Sequence, residues 1–240
     1  DMQVANQKFP TLPASEIDQI IRTLTRARLG RYLFATRNHA QRALRLYVMN
    51  GRISSALLGD LHYFEIVLRN RFAGELRNKF GDQWFQSPDF LGLLDARGQR
   101  IVERAQKDAS KNWTLATPLP QGKVIAELTF GFWHALTDSK LEHKLWVPCL
   151  HRAFAPRKAP KRAIFNQQLE QLRQLRNRVA HHEPIFHLDL QGSQRLIFDI
   201  TRSLSPATAR LMSSTSMVRR EVMSLRHYER RWAYSAKNKP

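Results

Sequence analysis

Residues 54 to 80 most constrain the fold. Leu57, Leu61, Phe64, Leu68, Phe72 and Leu76 follow one another at three- and four-residue steps, the spacing of one face of an α-helix. Ile66 and Val67 add apolar side chains on other faces, so this helix belongs near the centre of its domain. Gly81 is placed to stop it. Aliphatic residues elsewhere repeat at helical spacing too, and no run alternates at period two as a strand would. The chain therefore reads as all-α. Its 240 residues can bury a full core as one domain or two small ones, and we expect a single domain over 1–240.

Residues 1–13 read as an extended lead-in, and Ser15-Glu16-Ile17-Asp18 has the spacing of a capping box opening a first helix. Basic N-terminal helices are expected over 15–52, and a helical core over 54–204. Residues 81–96 read as a loop anchored by Trp84 and Phe85, followed by a short basic helix at 97–110. Residues 111–121, with two prolines, form the clearest connector. Val124, Ile125, Leu128, Phe132, Ala135 and Leu136 predict one amphipathic helix, and Asp138 or Ser139 could cap another over 140–154. Helices follow at 188–204 and 217–234, with an irregular Ser/Thr/Pro-rich stretch between Ser203 and Ser216.

The chain holds 39 Lys and Arg against 20 Asp and Glu, a formal net charge of +19. Such a surplus attracts polyanions, with nucleic acid the first partner to expect. From Arg22 to Arg52 there are eight arginines and no acid. That stretch, including Arg22, Arg26, Arg42 and Arg45, is either a phosphate-contacting surface or a basic face without a ligand. Arg157, Lys158, Lys161 and Arg162 form a second basic cluster, and Arg219 and Arg220 open a basic final helix and tail over 217–240. No stretch approaches the roughly 18–20 apolar residues of a membrane span, and no signal-peptide core is evident. A soluble, cytoplasmic protein without a membrane partner is expected. With Cys149 alone, neither a disulfide framework nor a multi-cysteine zinc site can form.

Common enzyme signatures are absent: no phosphate-binding glycine loop, no His-Glu-x-x-His and no Gly-x-Ser-x-Gly. The carboxylates are scattered singly, without a cluster for a two-metal site, so no metal or cofactor is expected. Chemistry concentrates in Arg176-Asn177-Arg178-Val179-Ala180-His181-His182-Glu183-Pro184. Leu169, Leu172, Leu175 and Val179 give the helix leading into it a buried face, while Asn177 and His181, four apart, share another. Arginine, asparagine and histidine suit metal-free RNA cleavage, in which the 2′-hydroxyl attacks its own phosphate. Histidine moves protons near neutrality, and arginine stabilises the charged phosphorane with two aligned donors. The bland alternative is a capping feature, since histidine is favoured at a helix C-terminus.

Arg176 and His181 are five apart, about 140° around a helix. Convergence then needs either unwinding before Pro184 or the same helix of a second subunit. Along the central helix His62, Glu65 and Arg69 line one flank. Glu65 either pairs with Arg69 at the core edge or orients an arginine of the motif helix.

Arg176-Asn177-x-x-x-His181 resembles the Arg-x4–6-His signature of the HEPN superfamily. The longer string from Leu175 to Phe186 is similar to its Abi-like (abortive-infection, AbiD/AbiF-type) branch. Leu61-His62-Tyr63-Phe64-Glu65-Ile66-Val67-Leu68-Arg69-Asn70 and Ala126-Glu127-Leu128-Thr129-Phe130-Gly131-Phe132-Trp133 agree with that branch in the same order. The resemblance implies a HEPN-like helical bundle with additional N- and C-terminal helices. It also implies a homodimer acting as a metal-independent endoribonuclease toxin in a toxin–antitoxin or phage-defence system. His181 would be catalytic, Arg176 its phosphate-binding partner and Asn177 a positioning group, with Arg178, His182 and Glu183 assisting. Another HEPN branch carries a modifiable tyrosine two residues after the motif histidine; Glu183 stands there in this chain. The alternative is a non-catalytic module that holds a dedicated antitoxin RNA, and a protein antitoxin is a further candidate partner.

Overall fold

The computed structural model describes residues 9–111, 113 and 119–237. Residues 1–8 of the expected lead-in, most of the 111–121 connector and the last three residues of the basic tail lie outside the described residues. Among the described residues every regular element is helical, as the apolar periodicity requires. In chain order the α-helices are α1 (Ala14–Leu24), α2 (Arg26–Ala35), α3 (Ala40–Phe80), α4 (Pro88–Leu91), α5 (Ala96–Ser110), α6 (Gln121–Glu127), α7 (Phe130–Ala135), α8 (Arg162–Ala180), α9 (Leu190–Leu204), α10 (Pro206–Thr215) and α11 (Val218–Lys237). No helix among these residues is long and apolar enough to cross a membrane.

The chain divides into two compact units, the first of residues 1–58, 178–191 and 217–240, the second of residues 59–177 and 192–216. In the second unit Leu61, Phe64, Leu68, Phe72 and Leu76 are all fully buried. Each such side chain contributes about 1.5–3 kcal/mol by leaving water. Phe64 meets Phe130 edge-on, and Phe72 packs against Trp146 and Phe165. Trp84 is the expected aromatic anchor after α3, but in place of a plain loop it opens a 3-10 turn (Trp84–Gln86) that leads into α4; it meets Phe90 edge-on, with its indole N–H donated to Gln121 Oε1 at 2.8 Å. Gly81, at φ +87°, ends α3 in a backbone conformation that a side chain would strain. In the first unit the core is made by Leu29 and Tyr32 of α2, Leu46, Ile53 and Leu57 of α3, Ile185, and Val218, Val222 and Leu225 of α11. Tyr228 fastens α11 to α3, its hydroxyl donating to the Arg42 carbonyl at 3.1 Å while the Arg45 guanidinium lies 4.8 Å over its ring.

Several boundaries differ from the sequence reading. α3 begins at Ala40 and runs unbroken through the junction placed at 52–54, because burial of Ile53 and Leu57 outweighs the roughly 1 kcal/mol that Gly51 costs inside a helix. α1 is capped at Pro13 without a side-chain hydrogen bond, so Ser15 sits inside the first turn and no capping box forms. The single helix expected from Val124 to Leu136 is two, since Leu128 and Thr129 are extended. Asp138 does cap the next turn, accepting from Lys140 N–H at 2.9 Å. Beyond it, 140–154 is not one α-helix: short 3-10 turns at Ser139–Leu141 and Leu150–Phe154 flank a π-turn at Glu142–Trp146. Pro148 has no N–H to continue a regular ladder. The stretch expected to be irregular contains α10, with Ser205 as N-cap and Pro206 as first helical residue.

Asp60 gives the second unit a pH dependence. It is 3% exposed, and its Oδ2 accepts from the Ser216 hydroxyl at 2.7 Å and the Gln194 amide at 3.5 Å. Burial raises its pKa above the ordinary carboxylate value, against the pull of both hydrogen bonds. A raised folded-state pKa stabilises the protein below the unfolded value and loses that contribution as pH rises through the folded value. Asp60→Asn, which keeps an acceptor for Ser216, should therefore flatten the fall in urea midpoint between about pH 4 and neutrality and be at least as stable as wild type at pH 7. A variant markedly less stable at pH 7 would show that the charge itself holds the site.

Candidate functional site

α8 buries Leu169, Leu172, Leu175 and Val179 along one face. Arg176, Asn177 and Arg178 lie in its last turns, each half-buried. The helix closes by a reversal centred on His182, at φ +56°. His182 N–H donates to the Val179 carbonyl at 3.1 Å and Glu183 N–H to the Arg178 carbonyl at 2.8 Å, the paired bonds of a Schellman ending. In that motif a hydrophobic contact usually joins the residues flanking the cap. Here Arg178 and Glu183 occupy those positions and pair at 3.8 Å.

His181 is thus the C-cap of α8. Unwinding does occur ahead of Pro184, but after His181, so the helix keeps Arg176 and His181 about 140° apart in phase. Asn177 and His181 retain a common face. His181 is exposed, and its ring makes no hydrogen bond among the described residues.

Glu65 of α3 reaches Arg176, not Arg69: Arg176 Nε donates to Glu65 Oε1 at 3.3 Å. Burial pushes the Glu65 carboxyl above its ordinary pKa, and the Arg176 charge beside it acts against that rise. The two terminal nitrogens of Arg176 make no hydrogen bond among the described residues, and its side chain is 38% exposed. Arg69, the other partner weighed for Glu65, has its Nε buried without a hydrogen-bond partner among the described residues. Glu65 already serves the motif arginine, which leaves the i, i+4 pair unmade.

The turn after α8 is braced by a residue the sequence reading missed. Asn50 of α3 is buried; its Oδ1 accepts from Ile185 N–H at 2.7 Å and Phe186 N–H at 3.1 Å, and its amide donates to the Glu183 carbonyl at 3.4 Å. From α2, Arg28 Nη1 donates to the His182 carbonyl at 3.0 Å. The only hint in the sequence is a poor helix former, Asn50-Gly51, retained inside a long helix.

The expected RNA-contacting residues divide. Arg22 on α1 and Arg26 on α2 are exposed. The Arg45 guanidinium lies over the Tyr228 ring, while Arg42 meets the Tyr228 hydroxyl through its backbone carbonyl. On α11 Arg219 is exposed, whereas Arg220 pairs with Glu221 at 3.0 Å. Arg157, Lys158 and Lys161 are exposed in the loop before α8. Arg162 is engaged internally: its Nε bonds Glu142 Oε2 at 2.9 Å and its Nη1 the Thr137 carbonyl at 2.8 Å.

Neither curated proteins nor solved structures give a match to this chain. A family model does, that of the Abi-like proteins, over residues 22–187. The match begins earlier than the three sequence blocks do, taking in α2 and the start of α3, and it ends just past the Asn50-braced turn. More than half of the chain is covered, and the chain belongs to the Abi-like protein family.

Proposed function

We propose that this Abi-like chain is a metal-independent endoribonuclease of the HEPN type, acting as a toxin in a phage-defence or toxin–antitoxin system. Family membership supports the abortive-infection setting. The observation that carries the chemistry is Arg176: Glu65 tethers its Nε and leaves both terminal nitrogens without a hydrogen bond among the described residues. A guanidinium fixed from behind in this manner presents two parallel donors to a phosphate.

In the proposed reaction the RNA 2′-hydroxyl loses its proton and attacks the adjacent phosphorus. Arg176 stabilises the phosphorane, the P–O5′ bond breaks, and the 5′-oxygen takes up a proton, leaving a 2′,3′-cyclic phosphate. His181 supplies the proton transfers, and Asn177 on the same helix face positions its ring or a phosphate oxygen. One imidazole cannot stand as base and acid on opposite sides of the phosphorus at once. Since α8 holds its phase through His181, the second histidine comes from a second copy of the chain, in a symmetric homodimer.

In EDTA the wild-type protein is expected to cut single-stranded RNA and to leave DNA of the same sequence whole, because DNA lacks the attacking hydroxyl. RNA retained but uncut would instead assign the chain to holding an antitoxin RNA.

A further inference from the structure

α2 is anchored on one face and bare on the other. Leu29 and Tyr32 are fully buried, and the Tyr32 ring packs on Phe186 with centroids 5.3 Å apart. Together with the Arg28 bond to the His182 carbonyl, this ties α2 to the turn that ends the motif. Phe34, on the outward side, is 87% exposed. Gly30 has no side chain, and a Cβ built on it would meet nothing within 4 Å. At 87% exposure the Phe34 ring is open to a flat ligand.

A lone exposed phenylalanine is ordinary on a protein surface; its surroundings are what select a partner. Arg26, Arg31 and Arg37 are exposed close to it in sequence, none forms an ion pair among the described residues, and no acid occurs from Arg22 to Arg52. An anionic membrane would need a broad apolar face, but the outward positions 26, 27, 30, 31 and 34 hold only one large apolar side chain. Single-stranded RNA supplies both missing complements, phosphates for the arginines and π faces for the ring.

We propose that Phe34 is a base-stacking platform for single-stranded RNA, with Arg31 and Arg37 on the flanking phosphates, on the outward face of the helix whose inner face is tied to the turn after His181. The proposal deepens the ribonuclease reading and rests on it for the choice of RNA.

The test uses the full chain carrying His181→Ala, to prevent cleavage, and a short RNA containing 2-aminopurine, whose fluorescence is quenched by stacking. Adding Phe34→Ala should weaken binding about tenfold or more and relieve the quenching, with the salt dependence of affinity unchanged. Phe34→Trp should preserve both signals. Arg31→Ala should weaken binding and reduce the salt slope by about one. Because Phe34 is solvent-exposed, none of its variants should shift the melting temperature. Phe34→Ala that binds as tightly as its parent with quenching intact overturns the proposal, as does the absence of any RNA affinity in the parent. The ribonuclease reading fails separately: wild type that binds and quenches the RNA but never cuts it sinks that reading and leaves the platform standing.

Discussion

His181→Ala is expected to lower RNA cleavage by about 10²–10⁴-fold, the usual contribution of a positioned proton-transfer group, while the melting temperature stays in place. The two readouts separate because of where the residue sits. His181 is the exposed C-cap of α8, its ring makes no hydrogen bond among the described residues, and the helix end is closed by backbone bonds on either side of it. Nothing in the packing depends on the imidazole, so a loss of rate is a loss of chemistry. Arg176→Ala should also reduce the rate, but at some cost in stability, because it leaves the half-buried Glu65 carboxylate without its partner. Unchanged cleavage in His181→Ala would move the catalytic group elsewhere and return the His-His-Glu-Pro end of α8 to a purely structural role.

The largest stability effect is expected from Asn50→Ala, about 2–4 kcal/mol. Its side chain accepts from two backbone N–H groups and donates to one carbonyl within four consecutive residues. Alanine would strand Ile185 N–H in particular, at a residue with no solvent exposure, and an unpaired buried donor costs about 1–3 kcal/mol on its own. Denaturant titration measures this directly, and the variant should also lose cleavage, since the turn that positions His182 and Glu183 loosens. A change below about 0.5 kcal/mol would mean that water replaces the amide, and the brace would then lose its importance.

How far the sequence could be read follows from the range of the interactions. The α3 stripe is legible because Leu57, Leu61, Phe64, Leu68, Phe72 and Leu76 obey one period, and all six are buried. The break expected near residue 52 followed the change from a basic stretch to an apolar stripe, but a change of surface character does not end a helix, and Ile53 is buried across it. At Ser205-Pro206 the local signal was an N-cap followed by an N1 proline, and the Ser/Thr-rich composition obscured it. Between 140 and 154 the apolar spacing could not distinguish an α-helix from successive 3-10 and π turns; Pro148 decides the matter.

The candidate site divides in the same manner. Arg176, Asn177 and His181 declare themselves by chemistry and spacing on one helix. Glu65 was readable only as a choice between two partners, and its contact with Arg176 spans 111 positions of sequence. The role of Asn50 could not be read beyond its being a poor helix former, because its partners lie 133 to 136 positions away. Arg162 carries the charge of an RNA contact, yet Glu142 and Thr137, distant in sequence, hold it.

The most direct measurement is the chemistry of the cut ends. A DNA strand containing one ribonucleotide, incubated with wild-type protein in EDTA, should be cleaved only on the 3′ side of that ribonucleotide, leaving a 2′,3′-cyclic phosphate and a 5′-hydroxyl. Cleavage at deoxynucleotides, products with 3′-hydroxyl and 5′-phosphate ends, or an intact strand would contradict the account.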